Sequence, residues 1–223
     1  MTDFLYPFIE ADERDAPTLL ADLARSAEGK ASESRAVRTA TLAGSSAVIA
    51  EVAPAMARRF AAGGRLFAFG NGGSATDAAG AAALFVHPPA HAPLPARSLA
   101  ADEAVLTALG NDVGFDLVFS RQLIAHARPG DIALGLSTSG SSENLLVAFA
   151  EARRRGLLTI GLAGFDGGRM AVSTDVEHCI VVRAESIHRT RRPRRPWWSR
   201  CGRGSTRRWW PEAPSPCTDD PRR

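Results

Sequence analysis

Long apolar runs are missing from this sequence. No stretch of the 223 residues nears the roughly 20 needed to cross a bilayer, so no membrane association is expected. Cysteine is scarce too. Cys179, Cys201 and Cys217 cannot all pair within one chain and show no metal-ligand spacing, which argues against a disulfide framework. Lysine is nearly absent, with Lys30 alone against 26 arginines, the bias of a GC-rich coding sequence. The opening MTDFLYPFIEADERD is acidic and lacks the basic region of a secretory signal, so the expected location is cytoplasmic.

The net charge of +3 is unevenly spread. From Arg189 onward eleven arginines face Glu212, Asp219 and Asp220, a surplus of +8 that leaves −5 on the rest. The basic character therefore belongs to the end of the chain, not to its body. Apolar content of 45% suits one soluble domain with a sizeable core.

Taken in order, the chain alternates helical and strand patterns. Phe4, Leu5, Phe8 and Ile9 are candidate docking residues in an acidic start. Leu19, Leu20, Leu23 and Ala24 recur at helical spacing from Ala16 to about Ala27. A longer helical pattern runs from about Ser32 to Ala62, with Leu42, Val48, Ile49, Val52, Met56 and Phe60 on one face, and Gly63-Gly64 ends it. These helices precede the first strand, so they pack on the sheet or against another subunit. Arg65 to Phe69 reads as a buried strand, and Ser74 to Val86 as a helix of small residues. His87 and His91 stand among prolines, in a loop rather than on a metal-binding helix. A short strand at Ala96–Ala100, a helical turn or two at Asp102–Leu109, a polar loop at Gly110–Gly114 and a helix at Phe115–Ala127 follow. Then come a strand at Asp131–Leu136, a helix at Glu143–Arg155, a strand at Leu157–Leu162, a glycine loop at Gly164–Gly168, a short helix at Met170–Thr174 and a last strand at Val176–Val182. That alternation predicts an α/β fold, a parallel sheet covered on both faces. Ligands of such sheets bind beyond the carboxyl ends of the strands, where the winding reverses. Gly70–Ser74, Asn111–Asp112, Ser137–Ser142 and Asp166 all fall at such ends.

Two stretches carry chemistry. Gly70-Asn71-Gly72-Gly73-Ser74 joins a strand to a helix. Its glycines let backbone N–H groups approach an anion, and the helix start adds unpaired donors. The spacing matches neither the dinucleotide fingerprint nor the Walker loop, and a tight turn without a ligand is the competing reading. Ser137-Thr138-Ser139-Gly140-Ser141-Ser142 offers five hydroxyls in six residues. Helix capping needs one of them; the surplus favours a phosphate held by neutral donors.

Together GNGGSATDA (70–78), LGNDVGFDLVFSRQL (109–123), GDIALGLSTSGSSENLLVAFAEARRRG (130–156) and GLAGFDGGRMA (161–171) resemble a sugar isomerase (SIS) domain, and within that superfamily the phosphoheptose isomerases. The resemblance covers roughly residues 32–189. It implies a five-stranded doubly wound sheet of flavodoxin-like type with N-terminal helices, and a homotetramer with those helices in the subunit contacts. It divides the chain into an N-terminal helical segment (1–31), the SIS domain (32–189) and an Arg/Pro/Trp-rich tail (190–223). By position, Asn71, Gly72, Gly73 and Ser74 resemble the substrate-binding turn. Asn111 and Asp112 resemble the pair that contacts the sugar. Ser137, Thr138, Ser139 and Ser142 resemble the phosphate cradle. The implied partner is a phosphorylated sugar, and the implied activity is aldose–ketose isomerisation of sedoheptulose 7-phosphate to glycero-manno-heptose 7-phosphate.

The chain departs from this pattern at the positions of the family's chemistry. Where the family's first sheet helix carries a metal-binding histidine and a catalytic glutamate, this sequence has Gly80 and Leu84, so the ligands for the family's zinc are not there and no cofactor is evident. In place of the family's RIQE motif the chain reads His188-Arg189-Thr190-Arg191, and no histidine follows. Three functions remain open: a divergent isomerase-group protein that binds the sugar phosphate, a non-catalytic adaptor of the replication-initiator-associating type, and an isomerase with chemistry relocated to Asp77, Asp112, Glu143 or Asp166. All four tryptophans and six of fourteen prolines lie beyond His188. A displaced reading frame is the preferred account of that tail, ahead of plain disorder and of a nucleic-acid-binding arm.

Overall fold

The structure, a computed structural model, describes residues 16–183. The readings on Phe4 to Ile9, on His188, on Cys201 and Cys217 and on the tail lie outside those residues. In chain order the elements are α1 (Ala16–Gly44), α2 (Ser46–Ala61), β1 (Leu66–Gly70), α3 (Gly73–Val86), β2 (Ala96–Ser98), α4 (Glu103–Asp112), a 3-10 turn (Phe115–Leu117), α5 (Val118–His126), β3 (Ile132–Ser137), α6 (Glu143–Arg154), β4 (Leu158–Gly164), α7 (Gly168–Val172) and β5 (His178–Val182). The five strands are all parallel and ordered β2-β1-β3-β4-β5. The doubly wound sheet is the one expected from the alternation of patterns.

Two expectations need correction. The first helix does not stop near Ala27: α1 runs through Glu28-Gly29-Lys30-Ala31 to Gly44, and the break falls at Ser45. Gly29 costs only about 1 kcal/mol in a helix interior, and its neighbours form helices well. At Ser45 the axis turns by 72°, while Ser45 N–H still donates to Thr41 O and Ile49 N–H to Ser45 O, each at 2.9 Å. The turn lays α2 on the sheet. Among the described residues no single helix is long and apolar enough to cross a membrane. The second correction concerns Asn111 and Asp112, expected in a loop. They are the last two residues of α4, which Asp102 caps by accepting from Val105 N–H at 3.0 Å. Half-buried Leu106 and Leu109 carry the helix past the expected end, and Gly114, at φ 117°, stops it.

Strand residues alternate between two cores. On one face Phe67 and Phe69 of β1 meet Phe119, Leu123, Leu145 and Phe149 of α5 and α6. On the other, Leu66, Ile132, Leu158 and Ile160 pack with α2 through Val52, Met56 and Phe60, and Ala68 and Leu136 pack with Ala78 and Ala82 of α3. The first face is built large against small. Gly135 lies under the rings, where a Cβ would stand 2.5 Å from Phe149 Cζ. Phe69 packs at centroid distances of 5.5 Å from Phe119 and 5.3 Å from Phe149. Fully burying each ring contributes up to about 3 kcal/mol.

At the amino ends of the strands one carboxylate ties the sheet. Asp131 is buried and accepts from Arg65 N–H and Arg128 N–H at 2.8 Å each, and its Oδ2 pairs with Arg65 Nη2 at 2.9 Å. Near the far edge, burial raises the Cys179 thiol on β5 from an ordinary 9.0 to about 11. At pH 8 its alkylation, followed peptide by peptide, is therefore expected to be roughly 100-fold slower than in the urea-unfolded chain. Equal rates would show the thiol to be open to water. The same shift costs stability only above about pH 9, where the unfolded chain loses its thiol proton first.

Candidate functional site

The sheet reverses its winding between β1 and β3. These strands are neighbours, with Gly70 opposite Leu136. The chain leaving β1 enters α3 on one face, while the chain leaving β3 enters α6 on the other. Two helix N-termini therefore flank one crevice at the carboxyl ends of two adjacent strands, the position that collects anions in such folds.

The first wall is the glycine turn. Gly70 can only be glycine, since a Cβ would stand 2.7 Å from Leu136 O and 2.8 Å from Ser74 C. Gly72, at φ 54°, is the N-cap of α3 and brings no side chain to it. Ser74 is buried, its N–H given to Asn71 O at 2.9 Å.

The second wall is the hydroxyl loop. Ser137 is buried, and its Oγ accepts from Gly140 N–H at 3.1 Å and lies 3.3 Å from Ser142 Oγ. Ser139 Oγ accepts from Ser141 N–H at 3.3 Å. Ser142 is the N-cap of α6, but its hydroxyl makes no capping bond. Leu145 N–H turns back to Ser142 O at 3.1 Å, and no described hydrogen bond takes the N–H groups of Glu143 and Asn144, the donors that a helix start leaves for another acceptor. Thr138 is half-buried and Ser139 exposed.

A third segment braces the loop. Gly140 sits at φ 63° against the Gly167 carbonyl, and Met170 N–H donates to Gly140 O at 2.7 Å. Arg169 N–H donates to Ser141 Oγ at 3.2 Å, and its guanidinium pairs with Glu143. The loop itself holds no cation, but the fold sets one beside it. Asp166 is spent on Gly168 N–H at 3.0 Å.

The structure ties the Asn71–Ser74 turn to the helix start behind Ser137–Ser142 through Asn71 and Asn144. It does not join Asn111 and Asp112 to them. These two are exposed, Asn111 Nδ2 donates to Asp112 Oδ1 at 2.8 Å, and no described hydrogen bond links either to the crevice. Asn144 was missed. Its amide and that of Asn71 exchange two hydrogen bonds across the crevice floor, each 2.9 Å. The available signal was an asparagine in the first turn of the helix, between Glu143 and the apolar Leu145 and Leu146. The Glu143–Arg169 pair, 26 residues apart, left no sequence trace.

The residues on α3 do not fit the zinc site implied by the resemblance. Gly80 is exposed with open space where a side chain would stand, Leu84 is half-buried, and neither carries a donor atom. Among the described residues no three His, Cys, Asp or Glu side chains gather to hold a metal.

A parallel sheet with a glycine turn and a hydroxyl loop at its reversal point is the plan of a sugar-isomerase domain. A match to the SIS domain covers residues 31–164, and the chain belongs to the SIS-domain family. Within it, the chain is similar to phosphoheptose isomerases. It is 48% identical over 136 residues to that of Rhodospirillum rubrum, 60% of this chain and 71% of the relative. It is 45% identical over 129 residues to that of Nitratidesulfovibrio vulgaris, 57% of this chain and 62% of the relative. The solved phosphoheptose isomerase of Neisseria gonorrhoeae superposes with a TM-score of 0.69 at 34% identity, covering 75% of this chain and 90% of that one.

Proposed function

We propose that this chain binds a phosphorylated sugar, sedoheptulose 7-phosphate in the first instance, without isomerising it by the family's route. The observation that carries this reading is the facing pair of helix N-termini, α3 behind Gly70–Ser74 and α6 behind Ser137–Ser142, on neighbouring strands. The phosphate sits over the α6 start, taking hydroxyl donors from Ser137, Thr138, Ser139 and Ser142 and first-turn N–H groups. Each hydrogen bond to the dianion contributes about 1.5–3 kcal/mol. Asn71, Gly72, Gly73 and Ser74 hold the sugar end. The working form is a cytoplasmic homotetramer, built through the N-terminal helices.

Isomerisation moves a carbon-bound proton between neighbouring carbons and needs a base to carry it. Gly80 and Leu84 supply none. Of the carboxylates considered for a relocated role, Glu143 faces Arg169, Asp166 holds Gly168 N–H and Asp112 holds Asn111. The loss at 80 and 84 favours, as a second reading, an adaptor whose sugar phosphate is a signal rather than a substrate. Calorimetric titration with sedoheptulose 7-phosphate is expected to give saturable binding, with a dissociation constant between about 1 μM and 1 mM. Product formation should stay at the buffer level with or without zinc. Turnover would refute the non-catalytic part, and an absent heat of binding the whole.

A further inference from the structure

Asn144 is 2% exposed, and a polar side chain so deeply buried needs partners. Asn71 Nδ2 donates to Asn144 Oδ1, and Asn144 Nδ2 donates back to Asn71 Oδ1, both at 2.9 Å. The clasp joins residues 73 positions apart. It ties the turn after β1 to the first turn of α6, two segments that lead to helices on opposite faces of the sheet. A primary amide carries a donor and an acceptor at the spacing this exchange demands. Leucine, of similar shape, makes neither bond. Aspartate sets two oxygens against each other in one of the two contacts unless its carboxyl is protonated.

We infer that Asn144 is a positioning residue for the anion site, acting through Asn71. It holds the glycine turn and the hydroxyl loop at one separation, and it fixes where the remaining Asn71 Nδ2 hydrogen and Oδ1 lone pair point. Both walls of the crevice then reach a ligand without reorganising, and binding does not have to order them first. The inference rests on the proposed reading of the crevice as a sugar-phosphate site, and its test separates the two.

In the full-length, ligand-free protein, proton exchange of the Asn71 side-chain amide, followed by NMR, is expected to be protected relative to a free amide. Asn144→Leu should abolish that protection. Asn144→Asp keeps an acceptor for Asn71 Nδ2 and should retain that protection at pH 7.5, while its second oxygen, set against Asn71 Oδ1, loses the return bond; a residue that only filled space would show the same exchange in both variants. Calorimetry with sedoheptulose 7-phosphate should show a loss of about 10-fold for Asn144→Leu and a similar loss for Asn71→Leu. The double variant should be no weaker than the worse single one, because both substitutions remove the same unit. Losses that multiply in the double variant, or Asn71 protection unchanged in Asn144→Leu, overturn the inference. Wild-type protein that binds no phosphorylated sugar overturns the reading beneath it, and the exchange result then reports on the clasp alone.

Discussion

Gly140→Ala is expected to cost roughly 4 kcal/mol of stability, the upper end of what single substitutions do, and to weaken the anion site with it. Two effects add. Gly140 has φ 63°, a conformation that costs a non-glycine residue about 1–2 kcal/mol. The new Cβ would also overlap the carbonyl oxygen of Gly167, a backbone atom that cannot rotate aside as a side-chain tip can. The hydroxyl loop must therefore part from the β4–α7 turn. That separation breaks the bonds from Met170 N–H to Gly140 O and from Arg169 N–H to Ser141 Oγ. Losing two hydrogen bonds to a bound phosphate, at about 1.5 kcal/mol each, weakens binding about 100-fold. Urea unfolding and calorimetric titration at low temperature, with circular dichroism to confirm that the variant is folded, check both numbers. A variant with wild-type midpoint and affinity would show that the loop does not lean on Gly167.

Asp131→Ala should lower stability by about 3–5 kcal/mol while leaving ligand affinity at the wild-type level. The side chain is 4% exposed and answers three donors at once: two backbone N–H groups, of Arg65 and Arg128, and the Arg65 guanidinium. Alanine leaves all three without their acceptor at the amino end of the central strands. For a chain of this size that is a melting temperature about 10 °C lower. Asp131→Asn keeps an oxygen for one backbone donor and should fall between the two. The sugar-phosphate crevice lies at the opposite, carboxyl end of β1 and β3, so a drop in affinity for folded Asp131→Ala would show that the two ends of the sheet are not independent. Gly140 and Asp131 thus form a contrasting pair, one altering site and stability together and the other stability alone.

Contacts between residues far apart in the chain decide α1, α4 and α6. The end of the first helix was misplaced because nothing local marks Ser45 as a break. The 72° turn exists so that Val52, Met56 and Phe60 reach the sheet, a tertiary demand. Asn111 and Asp112 looked like loop residues because glycine, asparagine and aspartate are poor helix formers. The burial of Leu106 and Leu109 outweighed that preference. At α6 the hydroxyl run was plain in the chain, but Asn144 was not, because its role depends on a partner 73 residues away.

Sequence alone determined the fold class and the two loops that form the crevice. Short continuous apolar runs, glycines at their carboxyl ends and helical patterns between them are local signals, each readable within about ten residues. It also determined what Gly80 and Leu84 cannot do, since a missing donor atom stays missing in any fold. Tertiary structure alone decided that the Gly70 turn and the Ser137 loop sit side by side, that Asn71 and Asn144 clasp across them, and that Arg169 stands against a loop without a cation of its own. Those facts depend on strand order and on which face each helix takes. The packing of the two cores decides that order, and contacts between residues far apart in the chain leave no periodic mark along it.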